Sequence, residues 1–397
     1  MQTNNDFRLE NWLRASGFTE NPFLLTDAET DSHLEEYFVE PDGFGDILGD
    51  AKSPKSAVLF APRGSGKTAS RVIVDRWSRA PGRLGGNVLN VTYTVFDSLV
   101  GQITPSLSEG YIANLNVHHH AIEIMKAAMV RLLELFLAEP DLCDRAVNAP
   151  FDAQAHIAHW LKHYAHNHTQ AQCQCWVELL RTLPHEDFDV QKIPDSPVQD
   201  FYTFVSLIRA LGKDAVYVLV DRVDELSPTP ITYDPLFGVL LLAPLISHLT
   251  LLEHESTAFK FFLPTEVRSI LLHYRLLRSD RLEVREVVWT REKIKETLQA
   301  RLGAFSNGQV PTLDAISVPE LRGKIDDTLV EEAHLSPRHL VMLGKQLFDF
   351  HIQSTAQTGE PLITPRDLDL TIQHFAQQRA AWYALPKLHP IGFNTAR

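Results

Sequence analysis

The chain has 397 residues, 44% of them hydrophobic and 22% charged, which fits two or three folded domains and not a disordered chain, a fibre or a disulfide scaffold. Its 37 basic and 50 acidic residues leave a net charge of −13, which argues against a protein that coats nucleic acid, though a local basic patch stays possible. The polar opening MQTNNDFRLE lacks the basic start and apolar run of an export signal, so a soluble, cytoplasmic protein without a membrane span is expected.

From Ala15 to Ala51 there is no Lys or Arg but ten Asp and Glu, read as a solvated acidic approach over residues 1–50 or as a docking surface for a basic partner. Ser56–Phe60 is a short apolar run followed by the glycine-rich Ala61-Pro62-Arg63-Gly64-Ser65-Gly66-Lys67-Thr68, and Ala69–Trp77 continues as a helix. Further strands are predicted at Asn87–Tyr93, Ala215–Val220, Phe259–Leu263 and Val284–Trp289. Between the second and third, residues 98–211 read as a helical insertion: Ile122, Met125, Met129, Leu132 and Phe136 share one face, as do Phe201, Phe204, Ile208 and Leu211. The apolar run Pro235–Leu252 is interrupted by Pro244, Ser247, His248 and Thr250 and reads as a buried helix, too broken to cross a bilayer. After Trp289 a C-terminal helical domain, 291–397, is predicted, with capped starts at Thr290, Ser336-Pro337 and Thr364-Pro365. Residues 51–97 and 212–290 then form an α/β core, a parallel sheet flanked by helices.

The loop 61–68 matches a phosphate-binding loop except that Ala61 replaces the first Gly. Gly64 and Gly66 let backbone N–H groups turn inward around phosphates, with Arg63 and Ser65 completing the turn; Lys67 reaches the β and γ oxygens, and Thr68 offers a hydroxyl to Mg²⁺. The strand Val216–Val220 leads to Asp221, a carboxylate that would hold Mg²⁺ through its water shell. Asp224 and Glu225 follow, and either would orient the attacking water or cap the next segment.

APRGSGKT with LVDRVDEL resembles the P-loop ATPases of the STAND and AAA+ groups. The Asp-x-x-Asp-Glu-Leu spelling is closer to STAND signalling ATPases, while initiator-type AAA+ proteins place Glu directly after the first Asp; here Arg222 stands at that position. The resemblance implies an ATP and Mg²⁺ site in a P-loop NTPase fold. It further implies that Thr265, after the fourth strand, is a polar sensor; that Arg278 or Arg281 reaches a neighbour's γ-phosphate; and that Arg338 in Ser336-Pro337-Arg338 is a second sensor bridging the C-terminal domain to the γ-phosphate. Surface pairing with Asp280, Glu283 and Glu286 is the competing reading of Arg278 and Arg281, and surface solvation that of Arg338. Asn21-Pro22-Phe23 and Trp289-Thr290-Arg291-Glu292 also look like a group of little-described bacterial P-loop ATPases.

Eighteen histidines are present, and His118, His119 and His120 together with His156, His159, His163, His166 and His168 form two clusters. With Cys173 and Cys175 nearby a zinc site is conceivable, but the Cys-x-Cys gap is unusual and a solvated, pH-sensitive helix face is the favoured reading. Only one further cysteine exists, Cys143, and such sparse usage fits a reducing compartment. The sequence thus points to an ATP-driven switch that couples Mg·ATP to self-association or to a protein effector. Relatives of this type often act in anti-phage defence or in DNA transactions. The alternatives are a nucleotide-stabilised scaffold with little turnover and a DNA-handling ATPase using the basic stretch Arg268–Arg301.

Overall fold

The computed structural model of the chain describes residues 4–24, 27–80, 87–101, 115–164, 196–226 and 235–383. Five strands, β1 (Ala57–Ala61), β2 (Val88–Tyr93), β3 (Ala215–Val220), β4 (Thr257–Pro264) and β5 (Glu283–Glu286), form one parallel sheet in the order β2-β3-β4-β1-β5. The helices in chain order are α1 (Asn4–Ala15), α2 (Leu34–Tyr37), α3 (Phe44–Leu48), α4 (Lys67–Arg79), α5 (Val117–Ala138), α6 (Pro140–Val147), α7 (Phe151–Tyr164) and α8 (Pro197–Ala210). They continue with α9 (Pro235–Ile246), α10 (Leu249–Leu252), α11 (Thr265–His273), α12 (Arg291–Phe305), α13 (Ile325–Glu332), α14 (Pro337–Thr358) and α15 (Pro365–Tyr383). This is an α/β arrangement, a parallel sheet covered by helices.

The chain divides into two compact units, and the sheet belongs to the one made of Gly43–Phe60 and Val74–Glu286. Every residue of β1, β3 and β4 is buried, which is why these strands read as unbroken apolar runs: a parallel sheet covered on both faces has no solvent side to alternate with. β5 differs. The sequence predicts it at Val284–Trp289, but pairing with β1 runs only from Ala57↔Glu283 to Phe60↔Glu286, and Val287–Trp289 lie beyond the strand. Its Glu-Val-Arg-Glu sequence is half-exposed, as an edge strand tolerates and a central one does not.

The helices between β2 and β3 share one core with the sheet. α5 lies on β2, α8 packs on α5 and β3, and a single apolar cluster joins Val91 and Val218 to Met125, Trp160 and Phe204. The apolar run 235–252 is two helices, α9 and α10, broken at Ser247 and His248. Among the described residues no helix is long and apolar enough to cross a membrane. Several buried polar groups of the sheet unit find specific partners. The Ser56 hydroxyl donates to the Leu252 carbonyl (2.5 Å) and accepts from the Phe259 amide (2.9 Å), and the Asn90 side-chain amide donates to the Asp75 carbonyl (2.8 Å). Lys260 is wholly enclosed in β4, its ammonium 2.7 Å from the Lys55 carbonyl and over the Tyr217 ring; burial pulls it down to about 7 despite the nearby Glu283 carboxylate.

The two histidine clusters differ: His156, His159 and His163 lie half-buried to exposed along α7, whereas the triplet on α5 is divided. His120 on α5 is fully buried: its Nδ1 accepts from the Tyr93 hydroxyl (2.8 Å) and its Nε2 donates to the Leu241 carbonyl (2.9 Å), a neutral bridge between β2 and α9. Burial lowers it to about 4. His119 instead closes a capping box with Asn116, and His159 and His163 stack with centroids 5.7 Å apart. His166, His168, Cys173 and Cys175 lie outside the described residues, and among the described residues no group of three or more metal-ligating side chains converges. Cys143, on α6, is disulfide-bonded, against the expectation of reduced thiols.

The second unit gathers Met1–Asp42, Ala61–Ile73 and Val287–Arg397. α1 lies on α14, with the Trp12 ring 5.0 Å from Phe348 and its Nε1 donating to the Pro361 carbonyl (2.7 Å). Phe23 is fully buried against Gly344 of α14, where any Cβ would strike its ring. Three acids of the opening pair inside this unit, while Glu20, Asp27, Glu35, Glu36 and Glu40 stand exposed. The Arg301 guanidinium, buried on α12, donates to the Pro22 carbonyl, meets Asp31 at 3.3 Å and covers the Tyr37 ring; Asp42 holds Lys293 at 2.5 Å, and Glu29 pairs with Arg71. A buried cation inside this unit needs buried anions, so Asp31 follows from Arg301. The predicted caps form: Thr290 accepts from the Lys293 amide, Ser336 from the His339 amide, and Thr364 with Asp367 makes a reciprocal box.

Candidate functional site

The phosphate loop occupies the turn between the end of β1 and α4. Gly64 and Gly66 both sit in the left-handed region, at φ 82° and 85°, which only glycine enters without steric cost. The Ser65 amide donates to the Pro62 carbonyl (3.1 Å), tightening the turn, and α4 begins at Lys67, so its first N–H groups and the positive end of its dipole face the loop. Lys67 is buried, its ammonium 3.4 Å from the Ala61 carbonyl; Thr68 is half-buried in the first turn; and Arg63 stands exposed.

The same unit brings C-terminal residues onto this loop. The backbone N–H of Arg338, second residue of α14, donates to the Gly64 carbonyl (3.3 Å). A Cβ on Gly64 would sit 3.2 Å from Arg338 Cβ and 3.5 Å from the Ser336 hydroxyl. The Arg338 side chain is exposed and, among the described residues, makes no hydrogen bond or ion pair. The resemblance implies Arg338 as a second sensor, and the bond to Gly64 puts its backbone beside the loop. Sequence reasoning missed Trp289, whose indole Nε1 donates to the Ser65 carbonyl (3.1 Å). A half-buried Trp just past an edge strand carries no distinguishing signal in one sequence.

In the sheet unit, Asp221 follows β3, which ends on the same edge of the parallel sheet as β1. Asp221 is 1% exposed and its amide donates to the Tyr93 carbonyl (3.3 Å). Arg222 then adopts φ 65°, an uncommon conformation for a residue with a Cβ, and opens the short 3₁₀ turn Val223–Glu225. That turn separates the two candidate acids: Asp224 is buried and Glu225 exposed. Gly238 of α9 approaches it so closely that a Cβ would lie 2.9 Å from Val223.

Thr265 opens α11 directly after β4, and its hydroxyl is buried without a hydrogen-bond partner among the described residues. Arg278 and Arg281 lie in surface ion pairs. Arg278 grips Asp280 at 2.6 Å and holds its carboxyl down to about 2, while Arg281 grips Glu253 at 2.7 Å and pulls it below the usual carboxylate range. The basic stretch 268–301 is largely neutralised in the same manner: Arg268 pairs with Glu286, Arg285 with Asp46 and Glu283, and Arg291 and Lys295 with Asp327.

Thr68, in the loop's unit, supplies a hydroxyl at a helix start, and Asp221, in the sheet unit, a buried carboxylate at a strand end; each by itself is a hard-oxygen donor of the kind magnesium takes. No family model matches the sequence, and no curated protein matches it. Among solved structures the chain is similar to the Aeropyrum pernix ORC2 protein, solved as ADPNP-ADP complexes, at 12% identity and a TM-score of 0.39, over 90% of this chain and 75% of that one.

Proposed function

We propose that the chain is a P-loop ATPase of the AAA+ type, binding Mg·ATP and coupling nucleotide state to self-association or to a protein partner. The observation that supports this most is the loop: two left-handed glycines, a buried lysine and a helix N-terminus form an anion cradle directly after a buried parallel strand. Lys67 and the loop amides would bind the β and γ phosphates; Thr68 and Asp221 are the residues that would hold magnesium, which would supply positive charge against that of the phosphates. Asp224 or Glu225 orients water for attack on the γ-phosphorus, with departure of ADP and no covalent intermediate. Thr265 and Arg338 read the γ-phosphate, and Arg278 or Arg281 serves a neighbouring copy after exchanging its surface partner.

Titration calorimetry at millimolar Mg·ATP tests the reading: heat of binding in the wild-type chain, lost in Lys67→Ala, is expected, and no heat in the wild type sinks it. A second reading, a scaffold with little turnover, draws support from Arg222, which stands where the AAA+ resemblance places the catalytic Glu. Phosphate release no greater than that of Lys67→Ala, in a chain that still binds ATP, would select it. The DNA-handling reading is weakened by the ion pairs along 268–301, and titration with DNA at low salt decides it. A role in anti-phage defence rests on the resemblance alone.

A further inference from the structure

We infer that Trp289 is a positioning residue of the phosphate loop: its indole N–H fixes the peptide plane between Ser65 and Gly66, and thereby the direction of the Gly66 amide. This inference rests on the proposed nucleotide site. In a planar trans peptide the C=O of one residue and the N–H of the next point in opposite directions. A donor that holds the Ser65 carbonyl at 3.1 Å therefore turns the Gly66 N–H away from the indole. The preceding plane is held the same way at both ends: the Gly64 carbonyl accepts from Arg338 N–H and the Ser65 amide donates to Pro62.

The loop needs such external fixing because its glycines remove the steric limits that hold other residues in place. Gly64 and Gly66 at positive φ are also free to flip a plane, and a flipped plane would present a carbonyl to a phosphate. Trp289 opposes that at one plane and the start of α14 at the other. Both donors come from the Val287–Arg397 segment, which together with Ala61–Ile73 belongs to one compact unit. The loop is thus held in its binding shape by the Val287–Arg397 segment.

The test uses Trp289→Phe, which keeps an aromatic ring and removes the donor. Without nucleotide, amide hydrogen exchange of the loop peptide spanning Gly64–Gly66 is expected to quicken severalfold while exchange in β1 and β3 stays unchanged. Affinity for Mg·ATP and for inorganic tripolyphosphate is expected to fall by a similar factor, about fivefold, the loss of one neutral hydrogen bond. Loss for ATP but not tripolyphosphate would mean that the indole meets the base and would overturn the inference, as would unaltered loop exchange. Failure of wild-type chain to bind ATP, with loop exchange still quickened in Trp289→Phe, would sink the nucleotide site and leave the indole's structural grip standing.

Discussion

Two left-handed turns leave buried strands of this sheet, one after β1 and one after β3, and they are built from opposite residues. The first uses Gly64 and Gly66, which enter that region at little steric cost; the second forces Arg222 into it at φ 65°. The first turn announces its backbone in its composition. The second announces only a carboxylate, and its strained arginine is the sort of backbone irregularity that concentrates at functional sites.

The largest effect should come from giving the first turn the side chain that the second tolerates. Gly64→Ala adds about 1–2 kcal/mol of left-handed strain and presses a methyl to 3.2 Å from Arg338; calorimetry should show ATP affinity down at least about tenfold, with the melting point lowered. Unchanged affinity would mean that the loop does not need its glycine.

Next in size is a pH effect beside the second turn. His120 is held at about 4, below its ordinary value near 6.5, so its contribution to stability is complete above pH ~6.5 and disappears as pH falls toward 4, up to about 3 kcal/mol. Burial lowers His254 and His339 too, adding to the same slope. Urea midpoints from pH 7 to 4.5 should fall steeply in the wild type and less in His120→Leu; parallel slopes would contradict the buried neutral bridge.

A smaller effect attends Lys260, whose amine is held at about 7 instead of its ordinary value near 10.5, so the wild type gains stability as pH climbs from 7 toward 10. Lys260→Met should raise the melting point by a few degrees at pH 7 and lose that advantage by pH 10. A lower melting point at pH 7 would show that the bond to Lys55 outweighs desolvation. Smallest of all is Arg222→Gly, where relief of strain and the added freedom of the unfolded chain roughly cancel, leaving stability within about 1 kcal/mol. A loss above about 2 kcal/mol would assign the arginine a packing role.

Legibility followed the same division. β1, β3 and β4 were readable because burial on both faces leaves continuous apolar runs, and the caps at Thr290, Ser336 and Thr364 because a hydroxyl before a helix has few other uses. The end of β5 was not, since an edge strand stops where its partner stops and Val287–Trp289 looks equally extended on paper. The partners of the acidic opening were hidden because Asp31 meets a guanidinium 270 positions away, and no local pattern encodes that. The burial of His120 was hidden because a triplet of histidines gives no hint that its third member turns inward to Tyr93 and Leu241. Of the candidate site, the loop was legible in full, while the grip of Trp289 on it was not.

The contact between Trp12 and Pro361 spans 349 positions, and Thr19 is bonded to Phe305 across 286. A ribosome releases the opening helix long before the helices that cover it exist, so this chain spends most of its synthesis with Trp12, Phe18 and Phe23 bare. The sheet unit, continuous from Val74 to Glu286 apart from one short earlier piece, can collapse in the meantime. Closure of so wide a loop is a late and slow event. Holdase chaperones should therefore engage the nascent opening segment, and chains released early should aggregate through it.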